Sequence, residues 1–149
     1  MPEVNSINST GTPRHLWIVG VIALLWSAMG AMDFVMTMTK NEGYMSQFSA
    51  EELEFFYSFP TWLIGTWAVG VWGGVVGSVL LLMRKSIAIW VFLASFLGAL
   101  ISSFRNYVLS NGLEVMGTAA AIGFTAAILL IALALVLYSR AMAQRGVLR

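Results

Sequence analysis

Four long apolar runs constrain this chain more than any other feature. They cover residues 16–38, 60–83, 87–107 and 115–138, and each contains at least 21 residues. A helix needs about 20 residues to cross a hydrocarbon core of about 30 Å, and inside lipid only helices or closed barrels satisfy their main-chain hydrogen bonds. Because the sequence lacks alternating polar and apolar strands, the runs predict an all-α integral membrane protein. We expect an up-down four-helix transmembrane bundle.

Composition agrees with these runs and excludes several classes of function. The chain of 149 residues is 59% hydrophobic and 10% charged, with a mean hydropathy of +0.84, which predicts a single membrane domain. It has no cysteine and one histidine, His15, so we expect neither a metal site nor a cofactor. No basic stretch is long enough to indicate a nucleic-acid partner. We also expect no enzyme activity, because no nucleophile with a base and no phosphate loop is present.

Polar segments flank and separate the runs. Residues 1–13 predict a flexible cytoplasmic tail, and residues 139–149 predict a basic cytoplasmic tail. In the loop over residues 39–59, Ser49 and Glu52 have the spacing of a capping box. The residues that follow are strongly apolar, so we expect a short helix in the membrane interface. Its candidate residues are Glu51, Glu52, Phe55 and Phe56.

Lysine and arginine counts predict the orientation. The side that carries both termini and the loop near residue 85 holds six of these residues, namely Arg14, Arg84, Lys85, Arg140, Arg145 and Arg149. The other side holds Lys40 and Arg105. Because cytoplasmic loops carry the excess of positive charge, we expect a multi-pass protein of the bacterial inner membrane with both termini in the cytoplasm.

Asp33 and Arg105 are the candidate functional residues. Asp33 lies 17 residues beyond Leu16, and Arg105 lies 18 residues beyond Ile87. At 1.5 Å per residue both groups lie about 26–27 Å along their helices, near the outer boundary. Ionisable groups in a span usually have a partner or a task. For Asp33 and Arg105 three interpretations are open. The two side chains form a structural ion pair, they reach the interface separately, or they mark the polar end of a solute pathway.

Small residues predict close helix packing. Gly70 and Gly74, and likewise Gly73 and Gly77, are spaced four apart in the second run, and Gly98 has small neighbours at this spacing in the third. Such surfaces let helices approach closely in lipid. Packing within the chain is the simpler interpretation, and self-association into a homo-oligomer is the alternative. In the second run, Trp67 and Trp72 either pack or line a groove for a lipid or a sugar ring.

Several segments resemble a known family. They are LWSAMGAMD at 25–33, KNEGYMSQF at 40–48, YSFP at 57–60 and RAMAQRGVL at 140–148. Together these segments resemble a family of small, uncharacterised bacterial four-span membrane proteins, of which some carry the label sugar transporter. The resemblance implies four spans and favours transport, and it assigns no role to any residue.

Two function classes therefore stay open. One is a non-catalytic accessory protein that interacts with membrane lipids or with a larger membrane complex. The other is a small solute transporter or transporter subunit, with sugar as one candidate solute. Four spans without an evident internal repeat are few for an alternating-access carrier, which places the accessory class first.

Overall fold

In the computed structural model, residues 12–110 and 112–149 are described, with the side chain of Met116 excepted. This part of the chain is helical and contains no strand. In chain order the helices are α1 (Arg14–Met38), α2 (Glu42–Met45), α3 (Ala50–Tyr57), α4 (Thr61–Leu82), α5 (Ala88–Phe104), α6 (Gly112–Met116) and α7 (Ala119–Gln144). A π-helical turn, Arg105–Leu109, continues α5. Most of the predicted flexible tail lies outside the described residues.

Helices α1, α4, α5 with its π-helical turn, and α7 are long and apolar enough to cross a membrane. Large apolar side chains cover their outer surfaces: Leu25, Trp90 and Leu130 are 62%, 69% and 67% exposed. A water-soluble monomer rarely exposes contiguous apolar surface on this scale. The prediction of four long apolar helices is confirmed, and such helices are typical of multi-pass membrane proteins.

The long helices pack in chain order: α1 on α4, α4 on α5, and α5 on α7. Glycines bring the backbones of α4 and α5 together. A Cβ added at Gly98 would lie 2.6 Å from the carbonyl oxygen of Thr66 and 3.0 Å from the main-chain nitrogen of Gly70. Gly73, Gly74 and Gly77 similarly face Ser95, Ser27 and Phe92. Four glycines of α4 therefore lie in contacts within the chain, whereas Gly65 faces open space.

One end of the molecule is closed by a buried apolar cluster. It joins the first three turns of α1 to the last turn of α4, the start of α5, the second half of α7 and residues 147–148. Its buried members are Leu16, Ala23, Leu81, Ala88, Phe92, Leu135, Met142, Val147 and Leu148. We call this group the basal cluster. It fixes all four long helices to one another at this end.

Helices α1, α4 and α7 end in the same way, with one residue in the left-handed conformation. These residues are Lys40 (φ 53°), Arg84 (φ 58°) and Gly146 (φ 76°). Each donates its N–H to a carbonyl in the last turn of its helix, and so does the residue that follows it, as in a Schellman motif. Glycine accepts this conformation freely, whereas other residues are strained by about 1–2 kcal/mol.

The segment after α7 folds back instead of leaving as a basic extension. Val147 and Leu148 are 6% and 4% exposed and belong to the basal cluster. The N–H of Arg149 donates to the carbonyl of Arg84 at 2.9 Å, and its carbonyl accepts from the N–H of Ser86 at 3.3 Å. The apolar pair Val-Leu explains the difference, because burying it outweighs solvation of the arginines beside it.

The last long helix lies further along the chain than its apolar run. Residues 115–138 predict its position, whereas α7 begins at Ala119 and continues to Gln144. The hydroxyl of Thr118 accepts from the N–H of Ala121 at 3.1 Å and caps the new start. Beyond residue 138 the helix formers Ala, Met and Gln extend it, although hydropathy falls there.

Candidate functional site

Asp33 meets a tyrosine of the first loop. Its carboxylate accepts a hydrogen bond from the hydroxyl of Tyr44, and both side chains are half-buried. Asp33 lies near the end of α1 and Tyr44 in the short helix α2. Burial, together with the hydrogen bond and the negative charge of Asp33, raises the pKa of Tyr44 to about 12. Tyr44 therefore stays a neutral donor across the physiological range of pH.

Local capping positions Tyr44 and the helix after it. The side chain of Asn41 accepts from the main-chain N–H of Tyr44 at 2.9 Å and starts α2. Ser49 and Glu52 form the capping box expected from their spacing: Ser49 accepts from the N–H of Glu52 at 3.1 Å, and Glu52 accepts in return at 3.2 Å. The sequence pattern therefore predicted the start of α3 correctly.

Aromatic side chains join α2 and α3 to the long helices. Phe55 of α3 is buried, at 5% exposed, and its ring lies 5.4 Å from that of Phe59. Phe59 contacts Trp67 of α4, whose ring is 4.7 Å from that of Phe34 on α1. The connected rings are Phe34, Tyr44, Phe48, Phe55, Phe56, Phe59 and Trp67. We call α2, α3 and these rings the aromatic cap.

The short helix expected in the first loop packs against protein through aromatic side chains, and its place in the membrane interface stays a prediction. Phe55 and Phe56, the apolar candidates of that helix, pack within the aromatic cap, whereas Glu51 is exposed and Glu52 half-buried. Several edge-to-face ring contacts, each stabilising by about 0.5–1.5 kcal/mol beyond burial, hold α3 against the protein. Phe55 of α3 is therefore covered by protein side chains, whereas Phe56 is half-buried and Tyr57 is exposed.

Arg105 lies at the first position of the π-helical turn. Its guanidinium is 5.8 Å from the centre of the Phe59 ring, and one of its nitrogens is 3.5 Å from the side-chain oxygen of Asn106. A cation over an aromatic face gains about 0.5–1 kcal/mol at a partly exposed site. Single π-helical turns occur often at functional sites, so Arg105 stays a candidate residue.

The structure does not join Asp33 to Arg105. Among the described residues, the carboxylate of Asp33 is bonded to Tyr44, and the guanidinium of Arg105 lies over Phe59. The direct ion pair expected as one alternative is thus replaced by two separate contacts with the aromatic cap. Equal depth along two helices was not enough to predict contact between Asp33 and Arg105. Depth does not specify the direction in which each side chain points around its helix.

Small hydroxyl groups form a polar seam between α4 and α5. Ser95 donates to the carbonyl of Gly70 at 2.5 Å, and the hydroxyls of Thr66 and Ser102 are 2.8 Å apart. Ser78 donates to the carbonyl of Gly74 within α4 at 2.7 Å. The two bonds between α4 and α5 stabilise helix association in lipid by about 0.6 kcal/mol each. The seam therefore supports packing and is saturated by its own partners.

Two apolar grooves lie on the outside of the bundle. The first, about 450 Å³, runs between α4 and α5 and includes Trp72 and Trp90. The second, about 370 Å³, lies between α5 and α7 and includes Tyr107 and Thr125, whose hydroxyls are 3.0 Å apart. Of the two tryptophans considered for a groove, Trp72 lines one, whereas Trp67 packs in the aromatic cap.

Comparison with known proteins adds no relative: no family model, curated protein or solved structure matches this chain. The resemblance to small bacterial four-span proteins therefore stays a prediction. Among residues 12–110 and 112–149, no three His, Cys, Asp or Glu side chains are grouped closely enough to hold a metal ion.

Two contacts of this site were not anticipated from the sequence. Tyr44 is the partner of Asp33, and the ammonium of Lys40 lies 4.6 Å from the centre of the Tyr57 ring. The sequence signal for the contact between Tyr44 and Asp33 was Asn41. As an N-cap three residues before Tyr44, Asn41 begins a helical turn that brings Tyr44 back toward α1. The second depends on how α3 packs, which no local pattern specifies.

Proposed function

We propose that this chain is a non-catalytic accessory protein of the bacterial inner membrane that interacts with lipids or with a larger membrane complex. The aromatic cap carries this proposal. Its rings pack inward, and its exposed carboxylates, Glu42, Glu51 and Glu54, face outward. An acidic surface at one end of an apolar bundle is suited to contact with a partner rather than to chemistry.

The engagement of the polar groups supports the accessory class over transport. Asp33 is bonded to the aromatic cap, and the hydroxyl groups between α4 and α5 are bonded to neighbouring oxygens. At Gly98 the two backbones are too close to admit even one added carbon without movement. A solute pathway needs polar groups that are free to exchange partners with the solute.

In the proposed arrangement α1, α4, α5 and α7 cross the membrane up and down, with both termini in the cytoplasm. The six-to-two distribution of lysine and arginine supports this orientation. A compartment-sensitive reporter placed after Arg149 on a flexible linker should report the cytoplasm, and one inserted at Gln47 should report the periplasm. The reverse pattern at both sites would overturn the orientation.

Purification from native bacterial membranes tests the role itself. The full chain should co-purify with a stable larger complex, and the variant Glu51→Lys/Glu54→Lys should lose that complex while it remains folded. Both positions are exposed, so the change alters the acidic surface without altering the packing. Arg140→Glu, an exposed change on α7, is the matched control and should retain the complex.

Transport is the alternative, and Asp33 is the residue that distinguishes it. A homo-oligomer that binds a specific solute, and loses that binding in Asp33→Asn while keeping its fold, would support a transporter. In the accessory proposal, Asp33→Asn weakens the contact with Tyr44 and lowers stability without any effect on solute uptake. Tyr44→Phe is the companion variant, since it removes the same hydrogen bond and keeps the charge.

A further inference from the structure

Main-chain hydrogen bonds bring three basic residues together at the basal end of the molecule. Arg84 and Lys85 form the turn between α4 and α5, and the main chain of Arg149 pairs with that turn through two hydrogen bonds. All three side chains are exposed. Among the described residues, Arg84 donates to the hydroxyl of Thr12 at 2.7 Å, and this acceptor is neutral. We call these three residues the basic turn.

The larger apolar groove begins beside the basic turn. Ile87 and Trp90, which line it, lie two and five residues after Lys85. The groove continues to Ala94 on α5 and to Val69 on α4, a length of about 10 Å at 1.5 Å per residue. Its lining is almost wholly apolar and open to the outside of the bundle. The charged basic turn and the apolar groove thus adjoin on one surface.

The backbone at Arg84 has a conformation that glycine adopts without strain. Arg84, Lys40 and Gly146 occupy the same left-handed position after a helix, at φ 58°, 53° and 76°. Glycine reaches this region freely because it has no Cβ. A glycine at position 84 therefore preserves the turn while it removes the charge.

We propose that the basic turn and the groove between α4 and α5 form a binding site for one anionic phospholipid. The phosphate-bearing headgroup contacts Arg84, Lys85 and Arg149, and one acyl chain lies along the groove against Trp72 and Trp90. Basic pockets beside transmembrane helices on the cytoplasmic side bind anionic headgroups through charge. Trp90, five residues after Lys85, lies near the depth where headgroup and acyl chain meet, which tryptophan favours.

The site rests on the proposed insertion of the helices with residues 84–86 in the cytoplasm. An acyl chain fits the groove because the lining offers apolar contact and almost no hydrogen-bonding group. A soluble anion would use the basic turn and leave the groove empty. The phospholipid uses both features, so both should contribute to its binding.

Brominated lipids test the site directly, because bromine quenches tryptophan fluorescence on contact. The full chain is placed in phosphatidylcholine vesicles that contain either brominated phosphatidylglycerol or brominated phosphatidylcholine at the same mole fraction. Phosphatidylglycerol should quench more strongly. The additional quenching by phosphatidylglycerol should disappear in Trp72→Phe/Trp90→Phe. In the unaltered chain this additional quenching should decrease as the salt concentration increases.

Charge and groove variants separate the two parts of the site. Arg84→Gly/Lys85→Gln should lower the relative affinity for phosphatidylglycerol about 25-fold, which is about fivefold for each charge removed near the membrane surface. Glycine suits the left-handed backbone at position 84, so this variant keeps the turn. Ala94→Phe fills the groove at an exposed position and should reduce quenching by the anionic lipid.

Matched controls exclude a general effect of charge. Arg140→Gln removes an exposed charge from α7, and Lys40→Gly makes the same backbone change after α1. Both should keep the preference for phosphatidylglycerol. Loss of preference in these controls, or its survival in Arg84→Gly/Lys85→Gln, would overturn the site.

The proposed function and the lipid site fail in different ways. If both brominated lipids quench the unaltered chain equally, the protein is inserted and the specific site is overturned. If neither lipid quenches, the helices are not in the bilayer, and the proposed membrane function is overturned together with the site.

Discussion

Gly98 provides the most demanding test of the packing between α4 and α5. A methyl group at this position would lie 2.6 Å from the carbonyl oxygen of Thr66 and 3.0 Å from the nitrogen of Gly70. Ordinary contact begins at 3.4 Å, so the helices must separate by the difference, 0.8 Å. Both obstructing atoms are main-chain atoms, which a change of rotamer cannot move. The variant Gly98→Ala therefore strains the whole contact.

The expected magnitude follows from two opposing effects. Overpacking of a well-packed contact costs about 1–3 kcal/mol, and the separation also weakens the hydrogen bond from Ser95 to Gly70. Alanine in place of glycine favours a helix by up to about 1 kcal/mol. We expect a net loss of about 1–2 kcal/mol in the free energy of unfolding, measured by titration with sodium dodecyl sulfate in mixed micelles.

Gly123 of α7 is the matched control. It lies in a helix interior as Gly98 does, but an added Cβ would have no atom within 4 Å. Gly123→Ala should therefore gain up to about 1 kcal/mol from helix propensity. Equal effects of the two substitutions would refute the close approach of α4 and α5. A change in oligomeric state in Gly98→Ala would instead indicate that this surface joins two copies of the chain.

Three further predictions concern the aromatic cap and the segment after α7. Because the pKa of Tyr44 is raised from 10.0 to about 12, the neutral side chain stabilises the fold at lower pH, and this stabilisation should fall as pH rises from about 10 to about 12. The fall should be smaller in Tyr44→Phe. Leu148→Ala should lower the free energy of unfolding by about 2–3 kcal/mol. Arg149→Ala should change it little, because the hydrogen bonds of Arg149 use its main chain. Equal losses of the two variants in chemical unfolding would contradict this docking. A water-soluble thiol reagent should label a cysteine at exposed Glu54 quickly and one at buried Phe55 slowly, and equal rates would contradict a packed cap.

Hydropathy and local capping carry the part of the fold that the sequence predicts. Long apolar runs predict helices directly, because a transmembrane segment must hydrogen-bond its own main-chain groups. Helices α1, α4 and α5 begin or end close to the predicted positions. The capping box of Ser49 and Glu52 was equally local and equally reliable. The start of α7 was less predictable, because Gly112–Met116 forms a separate short helix within the same apolar composition.

The candidate site depends on rotations that no local pattern specifies. Asp33 and Arg105 have similar depth, and the structure still gives them different partners, Tyr44 and Phe59. A helix surface turns by 100° per residue, so depth alone cannot choose a neighbour. Contacts between distant segments, such as Arg149 with Arg84, were likewise not predicted, because the basic composition of residues 139–149 indicated a solvent-exposed segment.

The docking of residues 147–149 also has a consequence for biosynthesis. These residues are translated after α7, while Leu16, Leu81 and Ala88 of the basal cluster have already left the ribosome. Neighbouring helices pack in chain order, so α1, α4 and α5 are able to associate as each one is released. The apolar surface that awaits Val147 and Leu148 stays uncovered during this time. A chain truncated after residue 144 should therefore leave Leu16, Leu81 and Ala88 less covered at the basal end and more accessible to a protease.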